Sequence, residues 1–448
     1  MSKKFDVVII GSGVGGTAIA NGLAAAGKEV AIVENDLWGG TCPNRGCDPK
    51  KVLVSAVEAK DAVTQLAGKG FSITPQVNWP ELMAFKETFT QPVPKTSKES
   101  LQSVGVEAFT GNAQFTNEKI LQVNDDTLTA ERFVIATGAK PSILPIEGKE
   151  HFLTSNNFLS LTEMPETISF VGGGYIAFEL AAIANAAGAK VHLIQHNDRP
   201  LKAFDQEYVK EIVHQLETKG VIFHFNVDVK KIEKKADSFV LTDGKDFRLT
   251  SDLVFCSTGR IPNIDELKLE NANVTFDKKG IKVNEYLQTS NAAVFACGDV
   301  LSKTQPKLTP VSTFEGNYLV HYLTGETAEK ITYPSIPTTV FSSPRLAQTG
   351  ITAAQAGKQE DDYEVSSIDA TSWFSYHRVN EPVSKIKIIK ERKTGLLVGA
   401  SCINKRADDL INFFSILIDQ KTPAGELAKL ILAYPTIASD LTSIYTND

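Results

Sequence analysis

The sequence predicts an α/β fold: two Rossmann-like dinucleotide-binding domains on mainly parallel sheets, then a C-terminal α+β domain. Three observations carry this. A strand–glycine loop–helix–strand unit occurs twice in one register. Strand-like and helix-like stretches alternate through much of the chain. The last part mixes β-rich stretches at Val340, 385–390 and 396–402 with a helical one at 408–419.

The first copy of the unit, residues 5–34, reads FDVVIIGSGVGGTAIANGLAAAGKEVAIVE, and the second, residues 166–195, reads ETISFVGGGYIAFELAAIANAAGAKVHLIQ. Each has an apolar strand, a G-x-G-x-x-G/A loop, an Ala-rich helix, a Gly stop and a second strand. Gly11 to Glu34 and Gly172 to Gln195 both span 23 residues. The first Gly makes the tight turn, the second lets backbone approach a pyrophosphate, and the third lets helix pack on strand. The helix N-terminus then offers free N–H groups and a positive dipole end to the phosphates. Gly11, Gly13 and Gly16 fill these roles in the first copy. Glu34 closes it with a carboxylate placed for ribose hydroxyls. In the second copy, Gly172 and Gly174 open the loop and Gln195 stands where the acid would be. A carboxylate there repels a 2′-phosphate. Gln195 does not, and His196, Arg199 and Lys202 follow it, so the second site is expected to favour NADPH, with NADH as the alternative.

Composition bounds the rest. The chain has 448 residues, room for two to four domains, and 42% hydrophobic with 22% charged residues excludes wholesale disorder. Its net charge of −7 argues against nucleic-acid or anionic-membrane partners, which need clustered Lys and Arg. No apolar run reaches the roughly 20 residues of a membrane span. The start, MSKKFDVVIIGSG, runs into glycines too soon for a signal peptide, and five cysteines are too few for a secreted disulfide scaffold. A cytoplasmic protein is expected. Four regions are read: 1–145 with the first copy, 146–265 with the second, 266–330 returning to short strands and loops, and 331–448.

Trp38-Gly-Gly-Thr41-Cys42-Pro-Asn-Arg-Gly-Cys47-Asp-Pro-Lys50-Lys51 follows the first copy. Two cysteines five apart open a helix expected over Lys50–Lys60. They can bridge if that turn brings their Cβ atoms within about 4.5 Å. A helix N-terminus and nearby cations lower a thiol pKa and make the thiolate available. A zinc site needs a second close ligand pair. Cys256, Cys297 and Cys402 are scattered singly, so no metal is expected; two inert thiols are the remaining alternative.

With these residues in view, the chain resembles the pyridine nucleotide–disulfide oxidoreductases, which include glutathione reductase, dihydrolipoamide dehydrogenase and mercuric reductase. The resemblance runs nearly end to end. It rests on Gly-Gly-Thr-Cys-x4-Cys-x-Pro-x-Lys, Ala136-Thr137-Gly138, the Gly172–Glu179 segment, Thr258-Gly259-Arg260-Ile261-Pro262-Asn263, Phe295-Ala296-Cys297-Gly298-Asp299, Leu308-Thr309-Pro310 and Ser335-Ile336-Pro337-Thr338. It implies FAD in the first domain and the nicotinamide cofactor in the second. The central 266–330 region would complete the FAD domain, and 331–448 would be a dimerisation domain. Gly11, Gly13 and Gly16 would hold the FAD pyrophosphate, Glu34 the adenosine ribose and Asp299 the ribityl chain. Thr41, Lys51, Thr137, Gly138, Gly259, Arg260 and Thr309 would complete the cofactor-binding set with Gly172, Gly174, His196 and Arg199. Lys50 and Glu179 match an ion pair beside the flavin, and Tyr175 matches an aromatic gate over the nicotinamide pocket. Electrons would pass from NADPH through FAD to a Cys42–Cys47 disulfide, with Cys47 nearer the flavin and Cys42 exchanging with substrate.

The chain also departs from that pattern. Disulfide-reducing members end in His-Pro-Thr-x-x-Glu, supplied across a homodimer. Here the segment is Tyr434-Pro435-Thr436-Ile437-Ala438-Ser439-Asp440. A tyrosine, ionising near 10, gives a proton but does not hold a positive charge at neutral pH. Tyr434 is therefore a catalytic candidate of a different kind, with His377 a distant substitute. Val14, Asn21 and Asn317 stand where glutathione reductases place a Ser and two Arg, which argues against glutathione disulfide. No Cys follows Cys402, unlike mercuric reductases. Pro92 and Pro94 interrupt a stretch that relatives run as one helix. Three readings stand: reductase of a small disulfide, NAD(P)H-driven reductase of a metal ion or quinone, and a redox-sensing flavoprotein that turns over poorly.

Overall fold

In a computed structural model, the chain is described from residue 2 to residue 446. The described residues form two compact units. One holds the residues up to Lys51, Ala84–Ser142 and Gly259–Thr332. The other holds Val52–Met83, Ile143–Thr258 and the residues from Tyr333 onward.

The first unit is built on a sheet with the order Glu107–Thr110, Val30–Glu34, Ser2–Ile10, Asp126–Ile135, Ile120–Val123 and Ala113–Asn117, with Val294–Ala296 also paired to Asp126–Ile135. The Ser2–Ile10 strand runs parallel to both neighbours. Val7 to Ile10 and Val30 to Val33 are all buried, the unbroken apolar run of strands covered on both faces. Helices Val14–Ala25 and Thr309–Thr324 pack on each other through small residues. A Cβ on Gly22 would lie 2.6 Å from a Val320 methyl, and one on Gly316 would lie 2.8 Å from the Gly15 carbonyl. The Thr309–Thr324 helix corrects the expectation of only short strands and loops over 266–330. Its β-branched and aromatic residues and its internal glycine mask it, but Pro310 in the first turn and Gly325 at φ 81° after the last mark its ends.

In the second unit a parallel sheet runs Ile222–Phe225, Lys190–Gln195, Thr167–Val171, Leu253–Cys256. A five-stranded antiparallel sheet runs Thr338–Val340, Arg345–Gly350, Leu397–Asn404, Lys385–Glu391, Tyr363–Asp369. Helix Ala407–Asp419 packs Leu410, Ile411, Phe414 and Leu417 into that unit's core and leaves Phe413 and Ile416 exposed. The helix after the cysteines spans Cys47–Gln65 rather than Lys50–Lys60, because Asp48 and Pro49 suit a first helical turn. The expected break at the prolines is present: one helix ends at Thr90 and the next begins at Val93, with Pro92 as its N-cap. No helix among the described residues is long and apolar enough to cross a membrane.

Candidate active site

The two glycine loops open with the same geometry. Gly11 (φ 105°) and Gly172 (φ 113°) take a conformation that only glycine adopts easily. Their N–H groups donate to Val33 and Ile194 carbonyls, each at 2.8 Å. A Cβ on either would lie 2.4 or 2.5 Å from the carbonyl of Ala136 or Ser257. Gly16 could not carry one either, since it would lie 2.0 Å from the Gly11 carbonyl. Gly13 has nothing within 4 Å of its Cβ position, which leaves the approach that a pyrophosphate needs. Nearby, Thr137 Oγ1 is buried without a hydrogen-bond partner, and Gly138 accepts the Asn263 N–H at 3.0 Å. These residues fit a bound dinucleotide.

The closing residues differ in polarity. Glu34 Oε2 accepts from the Ser12 N–H at 2.9 Å and hydroxyl at 2.7 Å, and Oε1 accepts the Asp36 N–H. Gln195 Oε1 accepts the Gly173 N–H at 2.7 Å, while its amide donates to Asn197 Oδ1 at 2.8 Å. Asn197 in turn contacts His196 Nε2 at 3.0 Å and accepts the Arg199 N–H. His196 and Arg199 are exposed beside Gly172 and Gly174's loop. Ser12, Asn197 and Ser257 were not expected from the sequence; their side chains carry no signature outside this geometry.

The cysteines lie on consecutive short turns, Thr41–Arg45 and the start of Cys47–Gln65. Gly40 permits this, with φ 70° and a Cβ position 2.5 Å from Gly13 Cα. Gly46 permits it too, since a Cβ would lie 2.8 Å from the Thr41 carbonyl. Asn44 donates to the carbonyls of Trp38 and Gly40, and Arg45 pairs with Asp36. Both cysteines are half-buried free thiols. Cys42 donates to Cys47, which lowers the Cys47 pKa to about 6; burial opposes this, while the Thr309 hydroxyl, 3.4 Å from the sulfur, and Lys50 and Lys51 assist. Cys42 is raised, first because its proton is held toward Cys47 and then by burial. Cys297 and Cys402 are fully buried and raised by burial, so the pair stands apart from them.

The same unit brings the sugar-side candidates together. The ribbon Ala139–Pro141 pairs with Arg260–Pro262, Gly259 accepts the Ser142 N–H at 3.0 Å, and Arg260 donates to the Ala139 carbonyl. Asp299 is half-buried, and burial pushes its carboxyl above the usual range against the pull of Lys303, Arg260 and Lys307. Lys307 Nζ donates to the Asp299 carbonyl at 2.7 Å. Behind it, buried Glu315 pairs with Lys303 and accepts the Gly298 N–H at 2.6 Å. Thr41 is exposed and Lys51 half-buried. A cavity of about 390 Å³ lies at the other end of the parallel strands, lined by Asp6, Lys28, Arg132, Phe295 and Tyr322, away from the thiols.

In the second unit, Tyr175 is 44% exposed at the first turn of helix Tyr175–Ala186. Glu179, one turn on, is fully buried and accepts the Phe341 N–H at 2.8 Å. Tyr434 is 74% exposed and stacks on Phe374, centroids 6.3 Å apart. Ser439 closes a local turn with Thr436, and His377 is exposed on the Phe374–His377 helix. No group of three or more His, Cys, Asp or Glu among the described residues is placed to hold a metal ion.

Comparison with known proteins agrees with this geometry. Residues 5–316 match the pyridine nucleotide-disulphide oxidoreductase family, and residues 336–444 match its dimerisation domain. Glutathione reductase from Burkholderia cepacia is 30% identical over 444 residues, covering 98% of each chain. Mercuric reductase from Staphylococcus aureus is 30% identical over 98% of this chain and 81% of its own. A solved Cu(II) complex of RclA, an HOCl-induced flavoprotein disulfide reductase from Escherichia coli, superposes with a TM-score of 0.89 at 25% identity, covering 98% of each chain. Such enzymes are FAD-dependent oxidoreductases that use a pyridine nucleotide. The chain belongs to the pyridine nucleotide-disulphide oxidoreductase family.

Proposed function

We propose that this protein is an NADPH-preferring, FAD-dependent reductase that delivers electrons through Cys42 and Cys47 to a small disulfide. The carrying observation is the asymmetry of the pair, with Cys47 held as the thiolate by Cys42, Thr309 and two lysines. Bound FAD would supply the two-electron chemistry between nicotinamide and disulfide. Gly11, Gly13, Gly16 and Glu34 hold its adenosine half, and Thr41, Lys50, Lys51, Thr137, Gly138, Arg260, Asp299 and Thr309 its flavin half. Gly172, Gly174, Tyr175, His196 and Arg199 take the pyridine nucleotide, and Gly259 keeps its place in the cofactor-binding set. Neutral Gln195, turned onto Gly173, supports acceptance of a 2′-phosphate. Glu179, fully buried, is assigned the catalytic role beside the flavin that the resemblance implies.

The domain reading is 1–145 with 266–330 for FAD, 146–265 for NADP and 331–448 for the interface. The protein acts as a homodimer. Its C-terminal segment is rich in exposed apolar groups, among them Leu430 at 59% and Ile431 at 100%, near Tyr434 in sequence. Tyr434 then donates a proton to the leaving thiolate.

Two observations favour a second reading. The structurally similar RclA was solved with Cu(II), and Tyr434 replaces a base that disulfide exchange uses but metal reduction does not. A panel of disulfides, Cu(II) salts and quinones, scored by NADPH oxidation, separates the two. Disulfide turnover abolished by Cys42→Ser supports the first reading. Cu(II) or quinone turnover that persists in that variant establishes an exit that bypasses thiol exchange.

A further inference from the structure

The exchange thiol has a carboxylate beside it. Cys42 Sγ donates to Asp48 Oδ1 at 3.8 Å, within reach of a sulfur donor. The contact is built into the fold: Cys42 lies on the Thr41–Arg45 turn, Asp48 in the first turn of the next helix, and Gly46 lets the two turns close. Asp48 is exposed and Cys42 is half-buried.

Cys42 has one proton and two acceptors for it. Held toward Cys47, it stabilises the inner thiolate. Held toward Asp48, it can leave the sulfur. The other charged and polar groups acting on the thiols are Cys47, Lys50, Lys51 and Thr309. As a fixed charge alone, a carboxylate here opposes the Cys42 thiolate, so its placement is a liability unless it takes the proton.

We propose that Asp48 is the general base and acid for Cys42, doing within one turn of chain what relatives leave to a histidine. This rests on the disulfide-reductase reading above. Asp48 takes the S–H proton as Cys42 Sγ attacks one sulfur of the acceptor. A Cys42–acceptor disulfide forms, the acceptor S–S bond breaks, and the first leaving thiolate takes the proton from Asp48. The Cys47 thiolate then attacks Cys42 Sγ, re-forming the Cys42–Cys47 disulfide. The second thiolate leaves with the remaining electron pair and takes its proton from Tyr434, which water then reprotonates.

The test compares kcat/KM for bis(2-hydroxyethyl) disulfide against pH in the FAD-loaded wild type, Asp48→Asn and Asp48→Glu. General acid–base help is worth about 10²–10⁴ in rate, so Asp48→Asn should fall roughly 100-fold at pH 7 and recover toward wild type as pH rises past 9. Asp48→Glu should keep most of the rate. The absorbance of the Cys47 thiolate against flavin after NADPH addition checks that each variant is folded and loaded. A fixed-charge role predicts the opposite sign: Asp48→Asn would equal or exceed wild type at pH 7, and that result overturns the proposal. A rate lowered equally at every pH also overturns it. Failure of the underlying reading is separate: it shows as disulfide turnover that survives Cys42→Ser.

Discussion

Single residues decide whether the glycine loop folds or binds. Gly13 has open space where a side chain would begin, whereas a Cβ on Gly16 would lie 2.0 Å from backbone oxygen. Gly13→Ala should therefore leave thermal unfolding of the cofactor-free protein almost unchanged but abolish FAD retention through gel filtration. Gly16→Ala should lower the unfolding midpoint itself. Equal behaviour of the two variants would contradict the assignment of that space to a phosphate. The thiols give a second residue-scale prediction. With Cys47 lowered to about 6, its thiolate persists above that pH and is protonated below it. Iodoacetamide labelling of Cys47 in the reduced protein, read by mass spectrometry, should be flat above pH 7 and fall about tenfold per unit below pH 6. A midpoint near 8.5, the value of a free thiol, would contradict the donated hydrogen bonds and lysine charges.

At the scale of elements, what the sequence revealed and what it hid divide along a physical line. The glycine loops were legible because their backbone shape admits few residue types, and the cysteine turn because its glycines and spacing have the same cause. The helix Thr309–Thr324 was hidden by residues of poor helix propensity, and its consequence was hidden further. Thr309 reaches Cys47 across 262 positions of sequence, a proximity no local pattern encodes. Asp48 stood in plain view in the cysteine motif, yet only the turn geometry makes it a neighbour of Cys42. Glu315 of the Thr309–Thr324 helix forms a buried ion pair with Lys303: both side chains are nearly inaccessible to water, and Glu315 also fixes the Gly298 N–H next to Asp299. Removing one partner of such a pair strands a buried charge, at a cost of about 3–5 kcal/mol. Lys303→Met should thus lose about that much stability in urea unfolding, and the Lys303→Met, Glu315→Leu double variant should recover part of it. No recovery would contradict a stranded charge as the cause.

For the whole molecule, the family's dimerisation domain supports a homodimer, and the C-terminal segment carries exposed apolar groups. Ile431→Asp should shift the sedimentation coefficient to that of a monomer and lower turnover at nanomolar protein while leaving NADPH-to-flavin reduction in place. A dimer of unchanged affinity would contradict the placement of that segment at the interface. Function depends most on the path by which electrons would leave FAD. The direct measurement is the anaerobic absorbance spectrum after one equivalent of NADPH, in wild type and in Cys47→Ser. The wild type should show a broad band at wavelengths beyond the flavin's own, and Cys47→Ser should lack it; identical spectra in the two proteins would contradict the dithiol route.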